Sequence, residues 1–198
     1  MSADDKKDNF VIAIGASTGG TEAVLQILQN LPRDMPPILV VLHMPPVFTA
    51  MYAERLNNNC SLYVKEAENG EMLTPGKVFV APGDYHMSLA KGVTGLFIRC
   101  RKGEKVSGHR PSVDILFSSV ADVAGEKALG IILTGMGADG AAGLLKMKKH
   151  GAHTIGQDEK SCVVYGMPME AYKIGAVSKQ LDIGDISAEI LRVLAHRR

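Results

Sequence analysis

Phe10-Val11-Ile12-Ala13-Ile14-Gly15-Ala16-Ser17-Thr18-Gly19-Gly20 is the stretch that decides the fold class. Its first five residues are continuously apolar, the pattern of a strand covered on both faces of a parallel sheet. Glycines end the run. Beyond them Ala23, Val24, Ile27, Leu28 and Leu31 recur at helical spacing until Pro32 stops the pattern. Strand, tight turn and helix in that order open a βαβ unit. Ile38-Leu39-Val40-Val41-Leu42 repeats the buried-strand signal, with a helix expected over Phe48 to Leu56. The spacing of Val113, Leu116, Phe117, Val120 and Ala124 predicts a helix that Ser112 can cap. Leu129 to Leu133 reads as another buried strand, and Asp139 to His150 as another helix closed by Gly151 in the left-handed conformation. Ile186, Ile190, Val193 and Leu194 mark a C-terminal amphipathic helix with Asp185 available as its cap. Between these units lie three short strand-like pieces, at Val78 to Ala81, Met87 to Leu89 and Gly95 to Arg99. We read Leu73 to Cys100 as an antiparallel excursion too small to hold a core of its own. The expectation is an α/β fold: a doubly wound, mostly parallel sheet with helices on both faces and a small antiparallel excursion.

Composition narrows the function. A chain of 198 residues with 46% hydrophobic and 22% charged residues suits one globular domain. Residues 1–9 are polar and read as a tail without the basic-then-apolar order of a signal peptide, and residues 10–198 read as the domain. A formal charge of +1 with no block of like charge gives no footprint for nucleic acid. The longest apolar run, Ile38 to Leu42, is far too short for direct membrane insertion. Cys60, Cys100 and Cys162 are odd in number and widely spaced, which favours a reducing cytoplasm over a disulfide framework. His86, His150, His153 and His196 show no metal-ligand spacing, so neither a metal nor another cofactor is expected.

In an open parallel sheet, ligands bind beyond the carboxyl ends of the strands. After the first strand stands Ser17, after the second His43, and after the later one Thr134-Gly135-Met136-Gly137-Ala138-Asp139. A hydroxyl, an imidazole and a carboxylate on one sheet edge are the groups that nucleophilic acyl transfer requires. Serine needs a neutral imidazole to take its proton, and the imidazole needs a carboxylate to fix its tautomer. Each residue also has a plainer reading. Ser17 suits a phosphate-binding turn, His43 a hydrogen-bonded strand end, and Asp139 the N-cap of the helix after it. His109-Arg110-Pro111-Ser112-Val113-Asp114 holds a rival histidine, serine and aspartate, but groups so close in sequence rarely line up, and Ser112 suits a helix cap better. Arg110 beside them could bind a carboxylate or phosphate.

Gly15-Ala16-Ser17-Thr18-Gly19 fits the G-x-S-x-G nucleophile elbow, yet the order serine, histidine, aspartate is not that of α/β-hydrolases. Taken in order, six motifs resemble the catalytic domain of chemotaxis-receptor protein-glutamate methylesterases of the CheB type. They are Ile12 to Gly20, Leu42-His43-Met44-Pro45, Val80 to His86, His109 to Asp114, Leu133 to Gly140, and Gln157-Asp158-Glu159 through Gly166-Met167-Pro168.

The resemblance implies hydrolysis of glutamate γ-methyl esters on cytoplasmic chemoreceptor helices with release of methanol, and deamidation of receptor glutamines by the same acyl-enzyme route. It implies Ser17 as nucleophile, His43 as base, Asp139 as the orienting acid and the Met136 N–H as oxyanion donor. Thr18 is implied as a further group orienting the histidine or completing the oxyanion site. Such enzymes usually carry an N-terminal receiver domain, whereas here the first strand comes about ten residues in. Regulation by a separate receiver-domain protein, or an active-site face left open, is therefore expected. The alternatives are a non-catalytic chemoreceptor-binding domain and a phosphate- or nucleotide-binding module, although Gly15 to Gly20 matches neither a Walker A loop nor G-x-G-x-x-G.

Overall fold

A computed structural model describes residues 10–196; the tail expected over residues 1–9, and residues 197–198, lie outside the described residues. The first strand, β1 (Val11–Ala16), is buried at all six positions. Its side chains alternate between two cores, Ile12, Ile14 and Ala16 into one and Val11 and Ala13 into the other. That two-sided burial is why the run carries no polar alternation, and each large aliphatic side chain so covered contributes about 1.5–3 kcal/mol.

The chain continues through α1 (Gly20–Gln29), β2 (Ile38–Leu42), α2 (Phe48–Asn59), β3 (Tyr63–Glu66) and β4 (Lys77–Val80). A hairpin, β5 (His86–Gly92) and β6 (Gly95–Arg101), follows. Then come α3 (Val113–Ala124), β7 (Ala128–Ile132), α4 (Ala141–Lys149), β8 (His153–Gln157), α5 (Met167–Lys173), β9 (Lys179–Leu181) and α6 (Ile183–Ala195). Seven strands form one sheet in the order β3-β4-β2-β1-β7-β8-β9, every pairing parallel. One core takes apolar residues of α1, α2 and α6, and the other those of α3, α4, α5 and the hairpin. The doubly wound architecture expected from the sequence is present.

The excursion is smaller than expected. β5 and β6 pair antiparallel, but β4 belongs to the main sheet, in parallel register between β2 and β3 (Val40↔Val80, Val64↔Val78). A four-residue apolar piece cannot announce its pairing direction by periodicity. Burial on both faces decides it, with Val78 and Val80 in one core and Phe79 in the other. The edge strands β3 and β9 gave no sequence signal, because Val64 is the one fully buried residue among their seven. Two helix starts also differ from expectation. Gly140, not Asp139, is the N-cap of α4, and Asp182, whose carboxylate accepts the Gly184 N–H, caps α6, which puts Asp185 inside the first turn.

Candidate active site

The three turns meet because β1 lies between β2 and β7. In the β1–β2 ladder Ala16 is opposite Leu42, so the next residue on each side is Ser17 and His43, and the His43 N–H donates to the Ala16 carbonyl at 3.4 Å. On the other side Leu133 N–H donates to Gly15 O at 2.9 Å and Ser17 N–H to Thr134 O at 3.0 Å. The β1–β7 ladder thus runs past the strand ends and lays residues 134–139 beside the Ser17 turn.

His43 Nε2 and Asp139 Oδ2 are 2.7 Å apart, with side chains 7% and 1% exposed. Three more donors converge on that carboxylate. They are Ser112 Oγ–H and Asp114 N–H on Oδ1, at 2.7 and 3.1 Å, and Val113 N–H on Oδ2 at 2.7 Å. Asp139 therefore sits on the open N-terminus of α3, where first-turn amides and the helix dipole favour an anion, rather than capping the helix that follows it. Burial pushes its carboxyl up, but the hydrogen bonds from His43, Val113, Ser112 and Asp114 outweigh it, and the net displacement is below the usual carboxylate range. Neighbouring Asp114 moves the opposite way. Burial raises it, and Asp139's charge adds to the rise against an amide bond from Gly143.

An ionised Asp139 holds the proton of neutral His43 on Nε2. The other ring nitrogen, Nδ1, is buried and makes no hydrogen bond among the described residues, so its lone pair is available. Ser17 is half-buried at the end of β1 and Thr18 is exposed. The loop after β7 is rigidly held: Thr134 N–H donates to the buried Gln157 side chain at 2.8 Å, and Thr134 Oγ1 donates to Thr18 O at 2.9 Å. Ser17 N–H and Gly135 N–H are committed to Thr134 O and Val164 O, while the Met136 N–H donates to no other group among the described residues.

Arg110 is engaged within the chain. Its guanidinium donates to Asp84 and to the Gly103 carbonyl, so the carboxylate it holds is the chain's own. Two contacts had no signal in the sequence. The His109 ring stacks on His43 with centroids 3.6 Å apart and planes 4° from parallel. His86, buried, accepts the Ser112 N–H on Nδ1 at 3.2 Å and donates from Nε2 to Glu104 O at 2.8 Å. The dismissed rival motif, His109 to Asp114, thus surrounds His43 and Asp139 with its own atoms. Its close spacing argued against a triad of its own and carried no sign of these contacts to His43 and Asp139. No group of three or more His, Cys, Asp or Glu side chains among the described residues is arranged to hold a metal ion.

The family model described as CheB methylesterase matches residues 12–190. The chain is 55% identical over 185 residues to a protein-glutamate methylesterase/protein-glutamine glutaminase of Syntrophomonas wolfei, covering 93% of this chain and 54% of that one. It is 54% identical over 181 residues to the protein so named from Salmonella typhimurium, covering 91% and 52%. The chain thus spans about half the length of the curated relatives it matches. The crystal structure of the Thermotoga maritima CheB methylesterase catalytic domain superposes with a TM-score of 0.91 at 39% identity, covering 93% of this chain and 98% of that one.

Proposed function

The chain belongs to the CheB methylesterase family, and from that premise we propose that it hydrolyses glutamate γ-methyl esters on chemoreceptor helices and deamidates receptor glutamines. The observation that carries the reading is the polarity of His43: Nε2 on Asp139 at 2.7 Å, and Nδ1 turned away from it, buried and without a hydrogen-bond partner among the described residues. The ring is poised as a base in the direction left to it.

Nδ1 takes the Ser17 hydroxyl proton as Oγ attacks the ester carbonyl. The bond to Asp139 stabilises the resulting imidazolium without moving a proton to the carboxylate. The Met136 N–H, with help from Thr18, receives the oxyanion in a site where backbone donors need no reorganisation. The imidazolium then protonates the departing methoxide to give methanol. Water repeats the sequence and releases glutamate. With a glutamine, ammonia leaves instead. The base pole differs from the chymotrypsin template, in which Nδ1 faces the acid and Nε2 the serine.

The phosphate-cradle alternative is weakened because the Ser17 and Gly20 N–H groups are spent on Thr134 O and Ser17 O. A receiver-domain regulator enters this reading from the family resemblance, and a cytoplasmic location from the number and spacing of the cysteines. Among the described residues no helix is long and apolar enough to cross a membrane.

The deciding experiment is methanol release from methylated chemoreceptor by this protein and by Ser17→Ala. Loss by several orders of magnitude, as when other serine triads lose their nucleophile, is the expected result. Equal release from both removes Ser17 from its role, and receptor binding without release from either supports the non-catalytic domain.

A further inference from the structure

We infer that His109 is a positioning residue for His43, fixing the plane of its ring and facing the charge that the ring acquires in each turnover. This rests on the reading of His43 as the base. A single hydrogen bond from Nε2 to Asp139 anchors one edge of the imidazole but leaves the ring free to roll about that edge, which would swing Nδ1 away from Ser17. A second ring lying 3.6 Å away and 4° from parallel blocks that roll.

The segment that delivers His109 is pinned at both ends. Ser107 and Gly108, at φ 52 and 80, form a tight turn in which Val106 and His109 exchange backbone hydrogen bonds of 3.1 and 2.9 Å. Just after it, Arg110 is tied to Asp84 and Gly103 O, His86 bridges Glu104 O to the Ser112 N–H, and Ser112 donates to Asp139. The strap that places His109 over His43 is therefore continuous with the cradle that holds Asp139.

The energetics favour a role in the reaction over mere packing. Two neutral rings gain little from a parallel face-to-face stack, which is not the arrangement aromatic quadrupoles prefer. A ring facing a cation is attracted to it. The contact thus strengthens as His43 becomes imidazolium, which is the requirement for lowering a barrier. His109 must itself be neutral for this to hold. The charged groups facing it are His43 from the turn after β2, Asp139 from the turn after β7 and Lys105 on its own strap. Burial, then the His43 charge, with Lys105 adding, hold its imidazole below the ordinary histidine range against an opposing pull from Asp139. Only in acid does a second proton arrive, and it then sets two like charges face to face.

The test compares wild type, His109→Ala and His109→Phe for methanol release against pH and for the His43 ring nitrogens by NMR without substrate. His109→Ala should lower kcat about 10- to 100-fold with KM nearly unchanged, the scale of a small misplacement of a reacting group. His109→Phe, which keeps a ring face but cannot be protonated, should recover most of kcat. It should also turn a two-proton acid limb into a one-proton limb. In the ring spectrum all three should keep the Nε2-protonated tautomer that Asp139 sets, with sharp His43 signals in wild type and His109→Phe and exchange-broadened ones in His109→Ala. An alanine variant with wild-type kcat and pH profile overturns the inference. So do alanine and phenylalanine variants that are folded but equally impaired. If wild type releases no methanol, the esterase reading is what fails, and the ring spectra alone still decide whether His109 fixes His43.

Discussion

Four donors converge on Asp139, and they make it the residue on which the site's charge depends. Its two oxygens each accept a backbone N–H of α3, so an amide in its place must turn an NH2 group toward one of those N–H groups. With that NH2 on the Oδ2 side it also faces His43 Nε2, which then has to accept, and the ring proton moves to Nδ1, where it blocks the base. Asp139→Asn should therefore lower kcat by about 10³–10⁴-fold with little change in KM, as in the corresponding serine-protease substitution. Steady-state kinetics on methylated receptor would measure it, and a loss below tenfold would mean that Asp139 does not set the tautomer. The carboxylate was readable in the sequence as a strand-end acid, and its family resemblance marked it as a triad member. Its four partners were not readable, because three of them come from a helix start about 25 residues earlier in the chain.

At the scale of elements, the first turn of α3 is the structural keystone. Ser112 caps it by accepting the Ile115 N–H at 3.4 Å, while the Val113 and Asp114 amides hold Asp139. The helix can approach β1 this closely only because Gly15 has no side chain: a Cβ there would lie 2.1 Å from Val113 Cγ1. Gly15→Ala must push the start of α3 off the sheet. Overpacking of this kind costs about 1–3 kcal/mol, or roughly 2–12 °C of Tm for a chain of this size. Activity should fall further than that stability loss explains, since the amides that seat Asp139 move with the helix. Thermal melts beside kcat at a temperature where the variant is fully folded would separate the two, and unchanged kcat would show that the seat tolerates the shift. The amphipathic pattern of α3 and its Ser112 cap were legible from spacing. The parallel placement of β4 and the presence of β3 and β9 were not, since three- and four-residue strands carry too little periodicity to signal direction.

Across the whole molecule, the end of the sheet away from Ser17, His43 and Asp139 has its own charge cluster. Glu189 on α6 has a side chain only 5% exposed, and it meets Lys179 at the start of β9 at 2.8 Å and Arg192 on its own helix at 2.6 Å. His153, at the start of β8, stands 3.5 Å away. The bond from Arg192 is the largest influence and outweighs burial; with Lys179 it draws the carboxyl down to about 2. Because the folded value lies below the unfolded one of 4.5, the unfolded chain binds more protons in between. The contribution is thus fully present above pH 4.5 and drains away as pH falls toward 2. Melting wild type and Glu189→Gln from pH 6 down to pH 3 should show wild type losing its advantage below about pH 4.5. A constant difference between the two across that range would remove the cluster from acid stability.

The sequence by itself determined the class of fold and which candidate groups stand at the sheet's carboxyl edge. Both are local: a run such as Phe10 to Ile14 has to be covered on two faces, and a residue directly after a buried strand has to stand at the sheet's carboxyl edge. The ordered motifs added the family and the expected chemistry. Tertiary structure alone decided that β1 lies between β2 and β7, which is what brings Ser17, His43 and Asp139 together. It also decided which nitrogen of His43 meets Asp139, that Asp139 is seated on α3 rather than capping α4, and that the His109 ring covers His43. Each of these depends on strand order and on the closeness of helix to sheet. Those are set by side-chain volume and by backbone groups seeking partners across the chain, and no spacing along the sequence records them.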